Sequence, residues 1–347
     1  MLREKKQIRD TGVEVPPLIF GSSALGNLYE VPPPATKRSI VAEWLRAVES
    51  PVCIDTAGKY GAGLALEEIG KGLEALSVSP QDTVISNKLG WKRVPLHGEE
   101  PQFEPGVWKD LSHDAVQTIS YDGILSCWEE GNELLGNGFS ASLLSVHDPD
   151  EYLAAAEDRR ARTERGKQLR DAYRALEELK RDGKADAIGV GSKDWKIIRE
   201  LTDSVDLDWV MLAGSLTVYR HSPELLSFVD ELDRAGIFVI NSAVFNSGFL
   251  VGGSYFDYRA VSTDTDPELF RWREQFHAIC RAFDVDPAEA CVEFGRAPRG
   301  VSAVAMNTTR PERVAKNART VKARAPKAFW DRLVQDRIIS VTPEQLG

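Results

Sequence analysis

The feature of this sequence that most constrains its fold is an alternation of short apolar runs with longer amphipathic segments. Most of the runs are continuously apolar, which is typical of strands that are buried on both faces. Strands that alternate with helices form parallel β-α-β units, so the pattern predicts an α/β protein. The eight predicted strands are Leu18–Phe20, Val52–Ile54, Thr83–Ser86, Leu143–Val146, Ala187–Val190, Trp209–Leu212, Ile237–Ile240 and Val301–Ala305.

Eight such units in a chain of 347 residues favour a (β/α)8 TIM barrel. The alternative is a doubly wound parallel sheet, which often has a glycine-rich phosphate-binding turn after its first strand. The first strand here continues into GSSALGNLYE at residues 21–30, which lacks the Gly-x-Gly-x-x-Gly spacing. The barrel is therefore the preferred prediction.

Amphipathic helices are predicted between the strands, and the clearest is Gln168–Lys180, which ends before an Asp-Gly stop signal. Another is Arg38–Glu49, with Thr36 as a candidate N-cap. Three connections are long for loops, and each follows a strand, which in a barrel places it on the C-terminal face where active sites are built. The long connections are Gly90–Ser120, Asp148–Gly166 and Gly248–Asp266, and the other predicted helices are Leu64–Leu76, Ile124–Leu135, Trp195–Leu201, Pro223–Arg234 and Pro267–Phe283.

The composition of the chain disfavours several classes of binding partner. The chain has 43 Lys and Arg against 53 Asp and Glu, a net charge of −10, which disfavours binding to nucleic acid. No apolar run reaches the roughly 18 residues of a membrane span, and the N-terminus has no apolar signal-peptide core, so we expect a cytoplasmic protein without a membrane partner. The four scattered cysteines predict buried free thiols in a reducing compartment, and no cluster of ligand-type residues predicts a metal.

Four titratable residues lie at or just after the C-terminal ends of neighbouring predicted strands. Asp55 ends the second strand, Tyr60 follows five residues later, Lys88 ends the third strand and His147 ends the fourth. Each alone has an ordinary structural explanation, as a helix cap, a packed ring, a solvated charge or a satisfied imidazole. Their joint position predicts that they meet at the mouth of the barrel.

These side chains permit acid–base chemistry at a carbonyl oxygen. A phenol with a pKa of about 10 is a poor acid at neutral pH. A nearby ammonium favours the phenolate and is expected to lower that pKa, while a buried carboxylate holds the ammonium in place. An imidazole can orient the substrate or pass a proton to the phenol. None of these groups supplies electrons, so hydride transfer needs a cofactor.

With these motifs in place, the sequence resembles the aldo-keto reductase superfamily over nearly its whole length. DTAGKYG at residues 55–61 resembles the Asp-x-Ala-x-x-Tyr-Gly signature of that family, and NKLG at 87–90 and VHDPD at 146–150 resemble its catalytic Lys and His segments. The resemblance implies a TIM barrel and NAD(P)-dependent carbonyl–alcohol interconversion. By position, Tyr60 is then the proton donor or acceptor, Lys88 tunes it, Asp55 pairs with Lys88, and His147 orients the substrate.

The resemblance also sets the expected domain limits. Residues 10–27, DTGVEVPPLIFGSSALGN, resemble the opening hairpin and first strand of the family. We expect one domain over residues 1–347, with an N-terminal hairpin over 1–17 and a C-terminal extension over 318–347.

Several short segments resemble the sugar-oxidising branch, which includes L-fucose, D-threo-aldose and L-galactose dehydrogenases. They are the HDPD ending, the GVG of strand five, the LAG of strand six, and SYDGIL at 120–125. The implied reaction is oxidation of an aldose at its anomeric carbon to a lactone, with Tyr60 as base. The alternatives are a reductase of other aldehydes or ketones, or a non-catalytic regulatory protein on the same fold.

Cofactor-binding residues are implied by three further segments: ADAIGVGSKDW at 185–195, FNSGFL at 245–250 and NTTRPERVAKN at 307–317. Asn307 replaces a Lys that commonly grips the 2′-phosphate of NADP, so we expect NAD(P) with a slight preference for NAD. Ser192 and Lys193 stand where the family usually has Asn, and Leu216 where related sugar dehydrogenases have Tyr, with Tyr219 nearby. The implied cofactor residues are Gly21, Ser22, Ser192, Phe245, Asn246, Ser247, Gly248, Asn307, Thr308, Thr309, Arg310, Arg313 and Asn317, and the candidate substrate contacts are Tyr29, Trp91, Trp108 and the loop Phe249–Tyr258.

Overall fold

The computed structural model describes residues 2–347 and contains a closed barrel of eight parallel strands. Each strand pairs with the next in sequence, and the last pairs with the first through Val304↔Leu18, Ala305↔Ile19 and Met306↔Phe20. The TIM barrel prediction is confirmed. The strands are β1 (Leu18–Gly21), β2 (Val52–Ala57), β3 (Thr83–Leu89), β4 (Leu143–His147), β5 (Ala187–Ser192), β6 (Trp209–Ala213), β7 (Phe238–Ser242) and β8 (Val301–Met306).

Helices connect consecutive strands, and three more follow the last strand. The helices are α1 (Pro34–Ala47), α2 (Leu64–Ala75), α3 (Tyr121–Leu135), α4 (Pro149–Ala154), α5 (Arg159–Arg181), α6 (Trp195–Thr202), α7 (Pro223–Arg234), α8 (Pro267–Ala282), α9 (Pro287–Arg296), α10 (Pro311–Thr320), α11 (Lys327–Gln335) and α12 (Pro343–Leu346). No helix within residues 2–347 combines the length and apolar character that crossing a bilayer requires.

Some of the predicted connections and helix limits were wrong. The expected loop Asp148–Gly166 is largely helical, because α4 fills its first part and α5 begins at Arg159. The Asp158 side chain caps α5 by accepting a hydrogen bond from the Ala161 amide at 2.7 Å. The first turns of α5 are charged and have no apolar residues at helical spacing, so the hydrophobic pattern does not predict them. Thr36 is not an N-cap, because α1 already begins at Pro34.

The ends of the chain pack onto the barrel. Lys6–Gln7 pairs antiparallel with Glu14–Val15 ahead of β1, while residue 1 lies outside the described residues. Residue 318, where we expected the C-terminal extension to begin, lies inside α10, which ends at Thr320. Cys53, Cys127, Cys280 and Cys291 are all buried and free, as predicted.

The barrel interior is lined by alternate residues of each strand, because side chains of a strand point to opposite faces in turn. Cys53, Val84 and Leu143 belong to the interior apolar cluster. Continuing the same alternation toward the C-terminal ends of β2, β3 and β4 brings Asp55, Lys88 and His147 to the inside. The strand register therefore directs three of the four candidate catalytic side chains into the mouth.

The floor of the barrel is filled by Trp209, which is fully buried. Its ring packs against Gly189 on the neighbouring strand β5, where a Cβ atom would come within 2.4 Å of the ring. Only a glycine leaves room for this indole.

We expect Gly189→Ala to lower the free energy of unfolding by about 1–3 kcal/mol, because the added methyl group overpacks the interior. Gly166→Ala is the matched control, since its Cβ would meet only the Arg170 guanidinium at 3.7 Å and Ala favours the α5 helix. Urea unfolding monitored by circular dichroism measures both variants. An unchanged unfolding midpoint for Gly189→Ala would contradict this packing.

Candidate active site

A buried ion pair lies at the mouth of the barrel. The Lys88 Nζ atom donates to both carboxylate oxygens of Asp55, at 2.7 and 2.6 Å, and to the Thr56 carbonyl at 3.1 Å. The Ser86 hydroxyl adds a hydrogen bond to Asp55 at 3.3 Å. Asp55 and Lys88 are only 3% and 2% exposed. Gly191 allows this path for the lysine, since a Cβ there would lie 3.0 Å from Lys88 Cδ.

Tyr60 lies beside this pair on the turn after β2. The Lys88 ammonium is 4.8 Å from the centroid of the Tyr60 ring. The turn packs against the β1–α1 connection so closely that a Cβ on Gly61, whose φ is +64°, would lie 2.4 Å from the Gly26 carbonyl oxygen. These two glycines fix the position of the phenol.

His147, at the end of β4, meets the Tyr60 ring edge-on with 5.7 Å between centroids. Its Nδ1 atom is buried and has no hydrogen-bond partner within residues 2–347. The structure thus brings together all four residues that the sequence analysis selected.

Their protonation differs in one respect from the sequence-based expectation. Desolvation by the surrounding protein, followed by the negative charge of Asp55, raises the pKa of Tyr60 well above 10. The Lys88 ammonium is directed to Asp55, and its charge does not outweigh this desolvation. Burial, then the charges of Lys88 and Lys59, hold the pKa of His147 well below its usual range. Without a ligand, the site therefore contains a neutral phenol and a neutral imidazole.

The sequence analysis missed a second buried lysine in this site. Lys59 is 3% exposed and is surrounded by the carboxylates of Glu104, Asp148 and Glu151. Lys59 is part of DTAGKYG and Asp148 directly follows His147, so both are adjacent in sequence to selected residues. Their role was hidden because a charged residue beside a motif is usually solvated.

The three aromatic residues proposed as substrate contacts border the mouth. Trp108 packs on Tyr60 with 5.8 Å between ring centroids. Trp91 lies over the Lys59 ammonium at 5.0 Å. Tyr29 stacks on Tyr255 of the β7–α8 connection at 3.9 Å, so the two connections meet across the mouth.

The implied adenosine-phosphate segment forms the start of α10. Arg310 and Arg313 are exposed there, and Asp286, an acidic residue near Arg313, pairs with Lys316 instead. The Thr308 hydroxyl accepts a hydrogen bond from the Arg310 amide at 3.2 Å and shapes the turn into the helix. A helix N-terminus with two exposed arginines fits the phosphate groups of a dinucleotide.

The other predicted cofactor residues lie on neighbouring strand ends. A Cβ on Gly21 would be 3.4 Å from Asn307, whose amide donates to the Ser23 hydroxyl at 2.9 Å, so the ends of β1 and β8 adjoin. The buried Ser22 hydroxyl has no partner within residues 2–347, which suits a polar ligand. Thr309, just before α10, and Asn317, in the second half of α10, are partly buried.

The β7–α8 connection has its side chains engaged internally. The Asn246 amide donates to the Gly214 carbonyl and to Asp257, at 3.2 and 3.1 Å, and the Ser247 hydroxyl accepts from the Tyr258 amide at 3.0 Å. The side chains of Asn246 and Ser247 therefore stabilise the loop, and any contact with a cofactor falls to their backbone. Phe245 and Gly248 belong to the same turn, where Gly248 has a φ of +90°.

At the end of β5, Ser192 is buried and its hydroxyl donates to the Asp194 carbonyl at 3.2 Å. Lys193 pairs with Glu151 and lies over the Tyr258 ring at 4.6 Å. The ammonium is thus already committed at the place where an Asn was expected. Leu216 is fully buried, whereas Tyr219 packs edge-on against Trp272, so Tyr219 belongs to the aromatic cluster of the C-terminal helices.

The sequence profile of the Aldo/keto reductase family matches residues 17–336. The chain belongs to this family, whose members are oxidoreductases that use nicotinamide cofactors. It is 27% identical to the pyridoxal 4-dehydrogenase of Microbacterium luteolum, over 97% of this chain and 98% of the relative. It is 26% identical to a D-threo-aldose 1-dehydrogenase of Pseudomonas sp, over 94% of this chain and 96% of the relative. An aldo-keto reductase from Bacillus halodurans, solved in its holo form, has the same fold, with a TM-score of 0.67 and 19% identity over 97% of this chain and 96% of that one.

Removing one member of the Asp55–Lys88 pair should destabilise the protein strongly. We expect Lys88→Met to lower the free energy of unfolding by about 3–5 kcal/mol, because Asp55 is left as an uncompensated buried charge. The double variant Asp55→Leu with Lys88→Met removes both charges and should lose less than Lys88→Met alone. Urea unfolding of the two single variants and the double variant completes the cycle, and purely additive losses would show that the pair is not coupled.

Proposed function

We propose that this protein is an NAD(P)-dependent dehydrogenase that oxidises an aldose at its anomeric carbon to a lactone. The observation that carries the proposal is the convergence of Tyr60, Lys88, Asp55 and His147 at the mouth of the barrel. The choice of an aldose is supported by the similarity to a D-threo-aldose 1-dehydrogenase and by the aromatic residues at the mouth.

In this proposal each side chain has a distinct task. The Tyr60 hydroxyl exchanges a proton with the oxygen of the C1 hydroxyl group, and it must be deprotonated to act as a base. Asp55 holds the Lys88 ammonium 4.8 Å from the centroid of the Tyr60 ring, and the charge of that ammonium favours the phenolate when the proton leaves. The neutral His147 imidazole hydrogen-bonds the substrate oxygen and orients it. When bound, the nicotinamide supplies the hydride acceptor.

The residues proposed to hold the cofactor are those of the β1, β7 and β8 ends. Arg310 and Arg313 at the start of α10 would contact phosphate groups, with Thr308 in the same turn. Gly21 and Ser22 would line the path toward the mouth. The uncharged Asn307 favours NAD, because it offers no cation to a 2′-phosphate.

A reductase of other aldehydes or ketones is the second candidate, and one observation favours it. The raised pKa of Tyr60 keeps its proton in place at neutral pH, which suits donation to a carbonyl oxygen. The two candidates use the same residues in opposite directions.

The first experiment measures NADH or NADPH formation by the purified protein with a panel of aldoses, including L-fucose, D-arabinose and L- and D-galactose. We expect turnover that increases as the pH rises through the alkaline range, because oxidation needs the Tyr60 phenolate. Tyr60→Phe should abolish turnover while leaving cofactor binding, measured by fluorescence quenching, unchanged. If no aldose is oxidised, the sugar assignment falls and carbonyl reduction is tested next; failure of both favours a regulatory protein.

The preference between cofactors is tested at Asn307. Asn307→Lys should raise the ratio of kcat/KM for NADP+ over NAD+ by about ten- to a hundredfold, since a charge-assisted hydrogen bond contributes about 1.5–3 kcal/mol. Asn307→Gln is the uncharged control and should leave the ratio near that of the wild type. A wild-type enzyme that strongly prefers NADP+, with no response to Asn307→Lys, would contradict the proposed role of this residue.

A further inference from the structure

We propose that Lys59 is a positioning residue of this site, whose buried ammonium holds Glu104 and Asp148 in place beside Tyr60 and His147 and compensates their charge. The proposal concerns the site put forward above and rests on that function for its turnover measurement.

The Lys59 ammonium is enclosed by carboxylates from two separate parts of the chain. Its Nζ atom lies 2.7 Å from Glu104, 3.2 Å from Asp148 and 3.3 Å from Glu151. Glu104 belongs to the long β3–α3 connection, and the other two carboxylates follow β4. A lysine that is 3% exposed must be paired in this way, because an unpaired buried charge is very costly.

One of these contacts leads to the imidazole. The Asp148 carboxylate lies 3.5 Å from the Nε2 atom of His147. Asp148 has a positive φ of 48°, and its amide donates to the Gly191 carbonyl at 3.0 Å, so the backbone holds the carboxylate in this position. The Asp148 side chain is therefore shared between Lys59 and His147.

The second contact leads to the phenol. One oxygen of Glu104 binds Lys59, and the other accepts a hydrogen bond from the indole of Trp108 at 2.7 Å. Trp108 in turn packs on the Tyr60 ring. Through Glu104, Lys59 thus holds the long β3–α3 connection at the mouth and positions the Trp108 ring against Tyr60.

The charges that face His147 come from every element around it. Lys88 on β3, Lys59 on the β2–α2 turn and Lys193 after β5 disfavour its protonation, whereas Glu151 on α4 favours it. The Asp148 carboxylate and the ring of Tyr60 also face the imidazole, and Tyr60 is uncharged in the ligand-free site. Removing Lys59 takes a cation from three carboxylates, of which only Glu151 keeps a lysine partner, Lys193, so a proton should then bind to His147 more readily.

The residue at position 59 is not specified by the signature that contains Asp55 and Tyr60. Asp-x-Ala-x-x-Tyr-Gly leaves this position open, so the buried lysine is a property of this chain and not of the motif. Lys59 and its three carboxylates therefore add a second charge-compensated unit to the site, separate from the Asp55–Lys88 pair.

The test follows the protonation of His147 in the ligand-free protein by NMR of the histidine side chains, with His147→Asn to assign the signal. In the wild type we expect a neutral imidazole down to the lowest pH at which the protein stays folded. In Lys59→Met the imidazole should become protonated within the pH range in which the protein stays folded, and the acid limb of kcat/KM should move to higher pH. Lys59→Arg keeps the charge and should behave as the wild type.

A matched control separates positioning from stability. Lys180 binds both oxygens of the buried Asp208, at 2.7 and 2.6 Å, away from the mouth. Lys180→Met should cost stability but leave the His147 titration and the pH profile unchanged. If Lys59→Met fails to fold, the double variant Lys59→Met with Asp148→Asn, which removes opposite charges together, is measured and should titrate close to the wild type.

A folded Lys59→Met protein with the same His147 titration and the same acid limb as the wild type overturns the proposal. If only the double variant folds, the proposal is overturned when its His147 becomes protonated at a clearly higher pH than in the wild type. The NMR measurement needs no substrate. If no aldose is oxidised and His147 still shifts, only the substrate assignment falls. If aldoses are oxidised and Lys59→Met changes neither readout, only the role of Lys59 falls.

Discussion

The pairing of β8 with β1 closes the barrel, and the rest of the structure depends on the register that this closure imposes. Side chains alternate along each strand, so a shift of one residue would turn every interior side chain outward. The observed register places Lys88 beside Ser145 and His147 beside Gly191, on adjacent strands and on the inner face. The missing side chain of Gly191 leaves the space through which Lys88 reaches Asp55.

Two buried lysines compensate the negative charges of the site, each with its own carboxylate partners. Lys88 is engaged by Asp55, and desolvation keeps the proton on the Tyr60 phenol although an ammonium lies close to its ring. Lys59 has three carboxylate neighbours, and through them it touches the surroundings of both His147 and Tyr60. Because each lysine is compensated by its own partners, the mouth can contain several charges and still present a neutral phenol and a neutral imidazole to a substrate.

The parts of the fold that were predictable are those with a local periodic signal. The interior strands are short continuous apolar runs, and the positions of Asp55, Lys88 and His147 at strand ends predict that they are neighbours. The first turns of α5 were missed because RRARTERG at residues 159–166 has no apolar stripe, and the helix there depends on its cap and on its continuation into the packed part. Lys59 was missed for a related reason, since a lysine beside a motif looks like a solvated charge until its partners are known.

The sequence by itself determined the number of strands, their order along the chain, the four residues that meet at the mouth and the family to which the chain belongs. These features follow from local periodicity and from short motifs whose members are close in sequence. Only the tertiary structure decided where each ammonium is directed and which charges are paired, because those contacts join residues as far apart as Lys59 and Asp148, separated by 89 positions. Their distances are set by closure of the barrel, and the protonation of Tyr60 and His147 depends on those distances.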